Sequence, residues 1–186
     1  IFAAVDAILV RSLPFPQAEE LVTTINSYPG AGRVIGASSA ADFYERQRLS
    51  ALAGLASYHQ MSLSVGGQGT ETERVDALIT TPSLFELIGA RPLRGRLLLE
   101  ADAQPGAEQK VLLTYGYWQR VFAGRDAAIG QTLRVNGALF SVVGVLPEGW
   151  RFIDPDLQVV IPAAYRAEER QPAWRHRNVN WRQVAR

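Results

Sequence analysis

The sequence predicts an α+β fold, and three observations lead there. Strand-like and helix-like stretches alternate irregularly and stay segregated, which favours α+β over a doubly wound sheet. A strong hairpin signal occupies residues 131–147, where Leu133 and Val135 alternate with polar residues and Asn136-Gly137 supplies the two left-handed positions of a type I′ turn. Helix starts with recognisable caps follow strand-like runs at Ser39, Thr81 and Thr114. The chain has 186 residues, 47% hydrophobic and 20% charged, which suits one domain or two small ones with a real core. Its net charge of +1 gives no reason to expect nucleic acid or an anionic surface, and the absence of cysteine excludes disulfides and thiolate chemistry.

In order, Ile1 to Leu13 is an apolar, helix-like run stopped near Pro14 and Pro16. A membrane span needs about 20 apolar residues. The run therefore reads as either an amphipathic terminal helix or the end of a longer span. Leu21 to Asn26 is expected as a strand and Tyr28 to Gly32 as a loop. Ser39-Ala-Ala-Asp42 is a capping box in its acidic form and predicts a helix from Ala40 to about Leu49. Leu52 to Val65 reads as a strand through His59 and Met61, turning at Gly66 to Gly69. Glu71 to Thr80 pairs back, with Val75, Ala77 and Ile79 on one face. Thr81-Pro82 opens a helix with Thr as cap and Pro at the first position; Leu84, Phe85 and Ile88 form its stripe and Gly89 ends it.

A polar loop, Glu100 to Gln109, leads to the central stretch. There Val111 to Leu113 is a buried strand, and a short helix opened by Thr114 and closed by Gly124 sets Tyr117, Trp118, Val121 and Phe122 at one-turn spacing to bury two aromatics against the hairpin. After Pro147 the sequence predicts a turn-rich aromatic segment, a strand over Leu157 to Pro162, a brief helix over Ala163 to Arg170, and a polar crossing loop from Gln171 to Asn178. A strand beginning at Asn180 would rejoin the first sheet. The chain begins at Ile1 without methionine and stops at Arg186 without a terminating signal, so it reads as a piece of something longer.

The ordered set Tyr-Gly-Tyr-Trp-Gln-Arg-Val-Phe, Ile-Gly-Gln-Thr-Leu-Arg-Val-Asn-Gly and Phe-Ser-Val-Val-Gly-Val-Leu-Pro resembles the periplasmic core domain of MacB-like and FtsX-like ABC transporter permeases, with the nearest likeness to the large-permease branch in which the domain is duplicated. Arg-Ser-Leu-Pro-Phe-Pro at residues 11–16 is similar to the family's exit from its first transmembrane helix, and Pro82, Phe85, Gly89, Pro92, Gly95 and Arg96 extend the likeness. The resemblance implies two lobes. Residues 1–15 would be the tail of a membrane-exit helix, 16–80 the first half of a membrane-proximal α/β lobe, 81–165 an inserted strand-rich lobe, and 166–186 an incomplete return to the first lobe. It also implies a non-catalytic role in transport or efflux, on the periplasmic side of the cell inner membrane, without a cofactor. The implied partners are a cytoplasmic ATPase subunit or domain, a second permease copy or half, and a periplasmic adaptor. Hinges are expected near Thr80-Thr81-Pro82 and Arg170 to Asn178.

The residues themselves offer little chemistry. His59 and His176 lack the helical partner and glutamate of a zinc-hydrolase motif. The carboxylate pairs Glu100/Asp102, Asp154/Asp156 and Glu168/Glu169 read as solvated surface acids, and no nucleophile elbow or P-loop occurs. Trp174-Arg175-His176-Arg177 with Trp181 and Arg182 mixes cations with aromatics as single-strand binders do, but one such cluster in a near-neutral chain argues instead for a packed loop whose arginines pair with acids. No catalytic, cofactor-binding or metal residue is assigned. The alternative to the permease domain is a stand-alone soluble carbohydrate- or peptide-binding module or enzyme, using Tyr58, Trp150, Trp174 and Trp181 as stacking surfaces.

Overall fold

The computed structural model describes residues 15–28, 30, 32–67 and 71–186. The expected helical run before Pro14 and the tip of the turn after Gly67 lie outside the described residues. Among the described residues eleven strands and three α-helices follow in the order β1 Val22–Thr23, β2 Asn26–Tyr28, β3 Arg33–Ile35, α1 Ala40–Arg46, β4 Leu55–Gly67, β5 Glu73–Thr80, α2 Ser83–Leu87, β6 Arg94–Gly95, β7 Lys110–Leu113, α3 Tyr115–Phe122, β8 Thr132–Val135, β9 Ala138–Val145, β10 Val159–Pro162 and β11 Arg182–Ala185. The class is α+β, as expected.

Six of the strands close on themselves. β4 pairs with β5, β5 with β10, β10 with β7, β7 with β9, β9 with β8, and β8 returns to β4 through Val65↔Val135 and Gly67↔Leu133. The pairs β5–β10 and β7–β9 are parallel and the others antiparallel. Closure leaves these strands few free edges, and a six-stranded barrel is narrow enough to be filled by side chains. Alternate residues fill it: Leu63 and Val65, Val75 and Ala77, Val111 and Leu113, Leu133 and Val135, Phe140 and Val142, Val159 and Ile161 all share one buried core. On β9 the alternation slips. A bulge puts Val143 between the partners of Val111 and Leu112, so the inward position after Val142 is Val145.

α3 adds Tyr117 and Trp118 to that core, with the Trp118 indole N–H donating to the Arg125 carbonyl at 3.0 Å. Thr114 caps the helix by accepting from the Tyr117 N–H, as expected, while Ala123 already adopts the left-handed conformation one residue before Gly124. The Asn136-Gly137 turn has both residues at positive φ, 46° and 88°. On the outer face, Leu78, Leu112, Leu146 and Val160 pack against Leu84, Phe85, Leu87 and Ile88 around α2. β6 crosses β9 with Gly95 opposite Gly144. A Cβ on Gly144 would lie 2.2 Å from the Arg96 carbonyl oxygen, so the crossing requires glycine there.

β4 runs past the barrel. Its first residues, Leu55 to Tyr58, pair with β11, which pairs in turn with β1. This flank holds the third core, where Ala40 and Phe43 of α1 meet Leu55, Ala163, Tyr165 and Ala185. β11 thus rejoins the first sheet as expected. Four expectations are corrected. The strand over Leu21 to Asn26 is split, because β1 keeps only two pairs with β11 before the chain turns to form the β2–β3 ribbon, which also takes up part of the expected Tyr28 to Gly32 loop. The capping box holds, with Ser39 Oγ and Asp42 serving each other's backbone N–H, but α1 ends at Arg46 rather than near Leu49. Thr81 does not cap α2: its hydroxyl accepts from the Ser57 N–H at 3.0 Å, although Pro82 has helical dihedrals as anticipated. The helix over Ala163 to Arg170 is reduced to a 3-10 turn at Glu168–Arg170. Ala163 continues the sheet by donating to the Thr80 carbonyl, and the Tyr165 hydroxyl is drawn into the core against Ser57 Oγ at 2.9 Å.

Candidate functional site

Two open grooves mark the described surface. The larger, about 500 Å³, lies along β4 outside the barrel and is lined by Tyr58, Met61, Asp76, Ile153 and Arg182 among others. Its floor has a simple origin. The odd-numbered face of β4 carries Leu55 in the flank core and Leu63 and Val65 in the barrel core, and between the two cores Met61 is left exposed, with His59 half-buried beside Trp181. Met61 is 39% exposed and Ile153 41%. The smaller groove, about 300 Å³, runs between the start of α3 and the segment 147–158, with Arg120 and Trp150 on its walls.

The candidate residues fall apart in space by partner. His59 Nδ1 is 3.0 Å from the Asn180 carbonyl and its ring is 5.7 Å from that of Trp181. No group of three His, Asp or Glu side chains converges at metal-holding distance among the described residues. Asp102, expected in solvent, is a structural anchor: Arg96 donates to both its oxygens at 2.6 and 3.0 Å and the Leu99 N–H adds a third bond at 2.8 Å. Burial by itself would raise its pKa, but the Arg96 and Leu99 hydrogen bonds and the charges of Arg96 and Lys110 outweigh it and hold the carboxyl below the usual range. Its neighbour Glu100 goes the other way, raised by burial against a bond from the Ser83 backbone. Asp154 accepts from the Asp156 N–H at 2.8 Å and from Gln60 Nε2 at 2.5 Å, and both lower its pKa. Glu168 and Glu169 both engage Arg166, the first by a 3.6 Å ion pair and the second through the Arg166 N–H at 2.9 Å.

The four proposed stacking aromatics are engaged within the protein. Tyr58 is buried edge-on against Phe152 at 4.9 Å, and Trp181 sits edge-on against Tyr165 at 4.8 Å. Trp150 packs on the α2-side core, and Trp174 lies under the Arg177 guanidinium at 5.1 Å. Burial raises the pKa of all three buried phenols: helped by Glu73 it pushes Tyr117 up to about 12, and it raises Tyr58 and Tyr165 as well.

Sequence reasoning missed a polar cluster that fastens the flank. Arg46 donates to Thr24 Oγ1, Ser38 Oγ, Gln183 Oε1 and Asn26 Oδ1. Asn26 reaches Asp42 Oδ2 at 3.3 Å, and Arg175 from the crossing loop pairs with Asp42 at 3.4 Å and with Glu45. The expectation that arginines of the Trp174 loop pair with acids is met by Arg175. Asp42 in the capping box was the one visible signal; the partners of Arg46 lie up to 137 residues away in sequence.

This architecture recurs in the extracytoplasmic domains of ABC-transporter permeases. The periplasmic region of MacB from Actinobacillus actinomycetemcomitans superposes with a TM-score of 0.64 at 19% identity, covering 89% of this chain and 72% of that one. A domain ascribed to a permease of Porphyromonas gingivalis gives 0.71 at 14%, covering 92% and 76%, and the extracellular domain of the ABC-type transporter YknZ from Gram-positive bacteria gives 0.63 at 12%, covering 89% and 81%. At these identities the likeness is one of fold. A family model, the MacB-like periplasmic core domain, matches residues 1–185, and the chain belongs to that family. It is therefore the periplasmic-type domain of a transporter permease. No curated relative matches the sequence, and no helix among the described residues is long and apolar enough to cross a membrane.

Proposed function

We propose that the domain performs no chemistry and transmits, outside the inner membrane, a conformational change driven by a cytoplasmic ATPase, in the service of export. The observation that carries this reading is β4: a single unbroken strand of 13 residues belongs to both the closed barrel and the flank, so displacement at one end is passed rigidly to the other. Packed bodies of this kind move as units, and coupling then resides in the contacts they exchange with neighbours. In this reading residues 16–80 and 166–186 form the membrane-proximal part and 81–165 the inserted part, with β4 and β5 shared. Thr80 and Thr81, expected at a hinge, are buried and bonded to Ser57, and Arg175 of the other expected hinge is paired with Asp42 and Glu45, which favours motion of the domain as one body over bending within it. The partners are the ATPase, a second permease copy or half, a periplasmic adaptor and the flanking membrane helices.

The test uses the intact permease reconstituted with its ATPase. Spin labels at the exposed Leu139 of the hairpin and Leu49 after α1 report distances within one copy and between two. The within-copy distance should stay fixed while the between-copy distances differ between nucleotide-free and ATP-bound states. Between-copy distances that ignore nucleotide would sink the reading.

A further inference from the structure

The larger groove borders a break in hydrogen bonding that neither the family nor the proposed coupling explains. Along one edge β4 is paired with β5 from Tyr58 to Val65. Along its other edge it is paired twice, with β11 over Leu55 to Tyr58 and with β8 over Val65 to Gly67. Which residues face which edge follows from the ladder. Ser64 exchanges bonds with Asn136 on the β8 side, its N–H donating to Asn136 Oδ1 at 2.9 Å and its carbonyl accepting from the Asn136 N–H at 2.8 Å. The Ser57 carbonyl accepts on the β5 side. Even-numbered residues therefore point their main-chain groups away from β5. For Gln60 and Ser62 no strand among the described residues lies there, and no hydrogen bond from those residues reaches their N–H or C=O groups.

The gap is built in at both ends. The segment that would extend β11 backwards along β4 leaves it before Trp181, which faces Ser38 on the far edge: the Asn180 carbonyl lies 3.0 Å from His59 Nδ1 and Asn178 turns the chain in the left-handed conformation. At the other end the tight Asn136-Gly137 turn carries β8 away after Ser64. Unpaired strand edges are usually blunted by charge, proline or a covering loop. Here the edge opens into a groove whose walls are Tyr58, Met61 and Ile153, with charges of opposite sign at its two ends. Asp76 lies beside Ser62, whose hydroxyl donates to it at 2.9 Å, and Arg182 lies opposite Tyr58 without a carboxylate partner among the described residues.

We propose that this gap receives an extended strand from a partner polypeptide, which completes the sheet between β8 and β11. Both flanking strands run antiparallel to β4, so the guest continues in their direction, entering near Ser62 and leaving near Arg182. Its residue opposite Ser62 is basic, reaching over the small serine to Asp76. The residue opposite Gln60 is acidic and lies on the same face as Arg182, and the intervening residues are apolar and rest on Met61. The partner is thus recognised by a basic–apolar–acidic word in strand conformation. This stands independently of whether the domain moves with ATP hydrolysis.

The probe is the acetylated, amidated peptide Val-Lys-Val-Glu, with Val-Glu-Val-Lys as its charge-reversed control, added to the ¹⁵N-labelled chain. In the free chain the amides of Gln60 and Ser62 should exchange with solvent at least tenfold faster than those of His59, Met61 and Leu63, which bond to β5. The first peptide should slow Gln60 and Ser62 at least tenfold and bind at least tenfold more tightly than the control. Arg182→Glu should reverse that preference, and Ser62→Pro, which removes an N–H that bonds nothing among the described residues, should abolish protection without lowering the melting temperature. Should Ser62→Pro fail to fold, the preference reversal by Arg182→Glu decides. Three results overturn the proposal: Gln60 and Ser62 already protected in the free dilute chain, protection that grows with chain concentration and tracks a dimer in sedimentation, or equal binding, including none, of the two peptides.

Discussion

The barrel and the flank are held by different physics. The barrel core is apolar and ordered by strand alternation, from Leu63 and Val65 around to Val159 and Ile161, and α3 buries Tyr117 and Trp118 against it. The flank has a small apolar core, and much of its joining is done by Arg46, Asn26, Asp42, Gln183 and Arg175, which link β2, α1, β11 and the crossing loop. Dispersion and burial are spread over many contacts and tolerate small errors, whereas a buried polar cluster is stabilising only while each member has its partner. The barrel should therefore fail as a whole and the flank locally.

The largest effect separates the two regions most sharply. Trp118 is 5% exposed in the barrel core, and truncating a buried aromatic costs about 3–5 kcal/mol. Trp118→Ala is expected to lower the melting temperature steeply and to speed exchange of amides in β5, β7 and β9 together. A melting temperature equal to the parent's would mean that α3 does not belong to the barrel's cooperative unit.

A smaller effect should appear on the flank alone. Arg46→Ala removes the donor to Asn26 Oδ1 and one of two donors each to Gln183 Oε1 and Ser38 Oγ, which keep Thr24 and Asn26, and an acceptor left unpaired costs about 1–3 kcal/mol. Gln183 is fully buried, so water cannot replace the lost donor without opening the sheet. Amide exchange in β1 and β11 should accelerate while the barrel strands stay protected. Acceleration spread evenly over both regions would show that β4 couples them into one unfolding unit.

The same division explains what was legible in the sequence. Period-two alternation, the Asn136-Gly137 turn, the Ser39 and Thr114 caps and the Tyr117-Trp118 face are local patterns, and each reads correctly over a few residues. Ring closure is not local: it depends on β8 returning to β4, some 70 residues earlier in the chain. Nor does any short pattern announce that β9 inserts Val143 as a bulge, or that Arg46 bonds Gln183 across 137 residues. The aromatic candidates misled because Tyr58 and Trp181 look like surface stacking residues until their partners, Phe152 and Tyr165, are seen. The groove on β4 was hidden for the opposite reason, since Leu52 to Val65 reads as one uniform strand and only the strands beside it reveal that two of its residues lack a neighbour.

Asp102 gives the smallest effect, and it sharpens the comparison because it puts a polar anchor on the barrel's side. Its carboxyl sits below the ordinary range in the folded chain, chiefly through Arg96 once the opposing effect of burial is overcome. A carboxyl depressed by folding contributes stability that is fully present above its unfolded pKa, near 4, and is lost as pH falls through the lower folded value. Arg96 is 40% exposed, so solvent screens the pair and its contribution is on the order of 1 kcal/mol or less. Asp102→Asn should accordingly lower stability slightly at neutral pH and flatten the decline between about pH 4 and the onset of acid unfolding. If the barrel needs polar fastening as the flank does, the loss at neutral pH will match that of Arg46→Ala; a markedly smaller loss supports a barrel held by its apolar interior, with Asp102 securing only the loop that leads into β7.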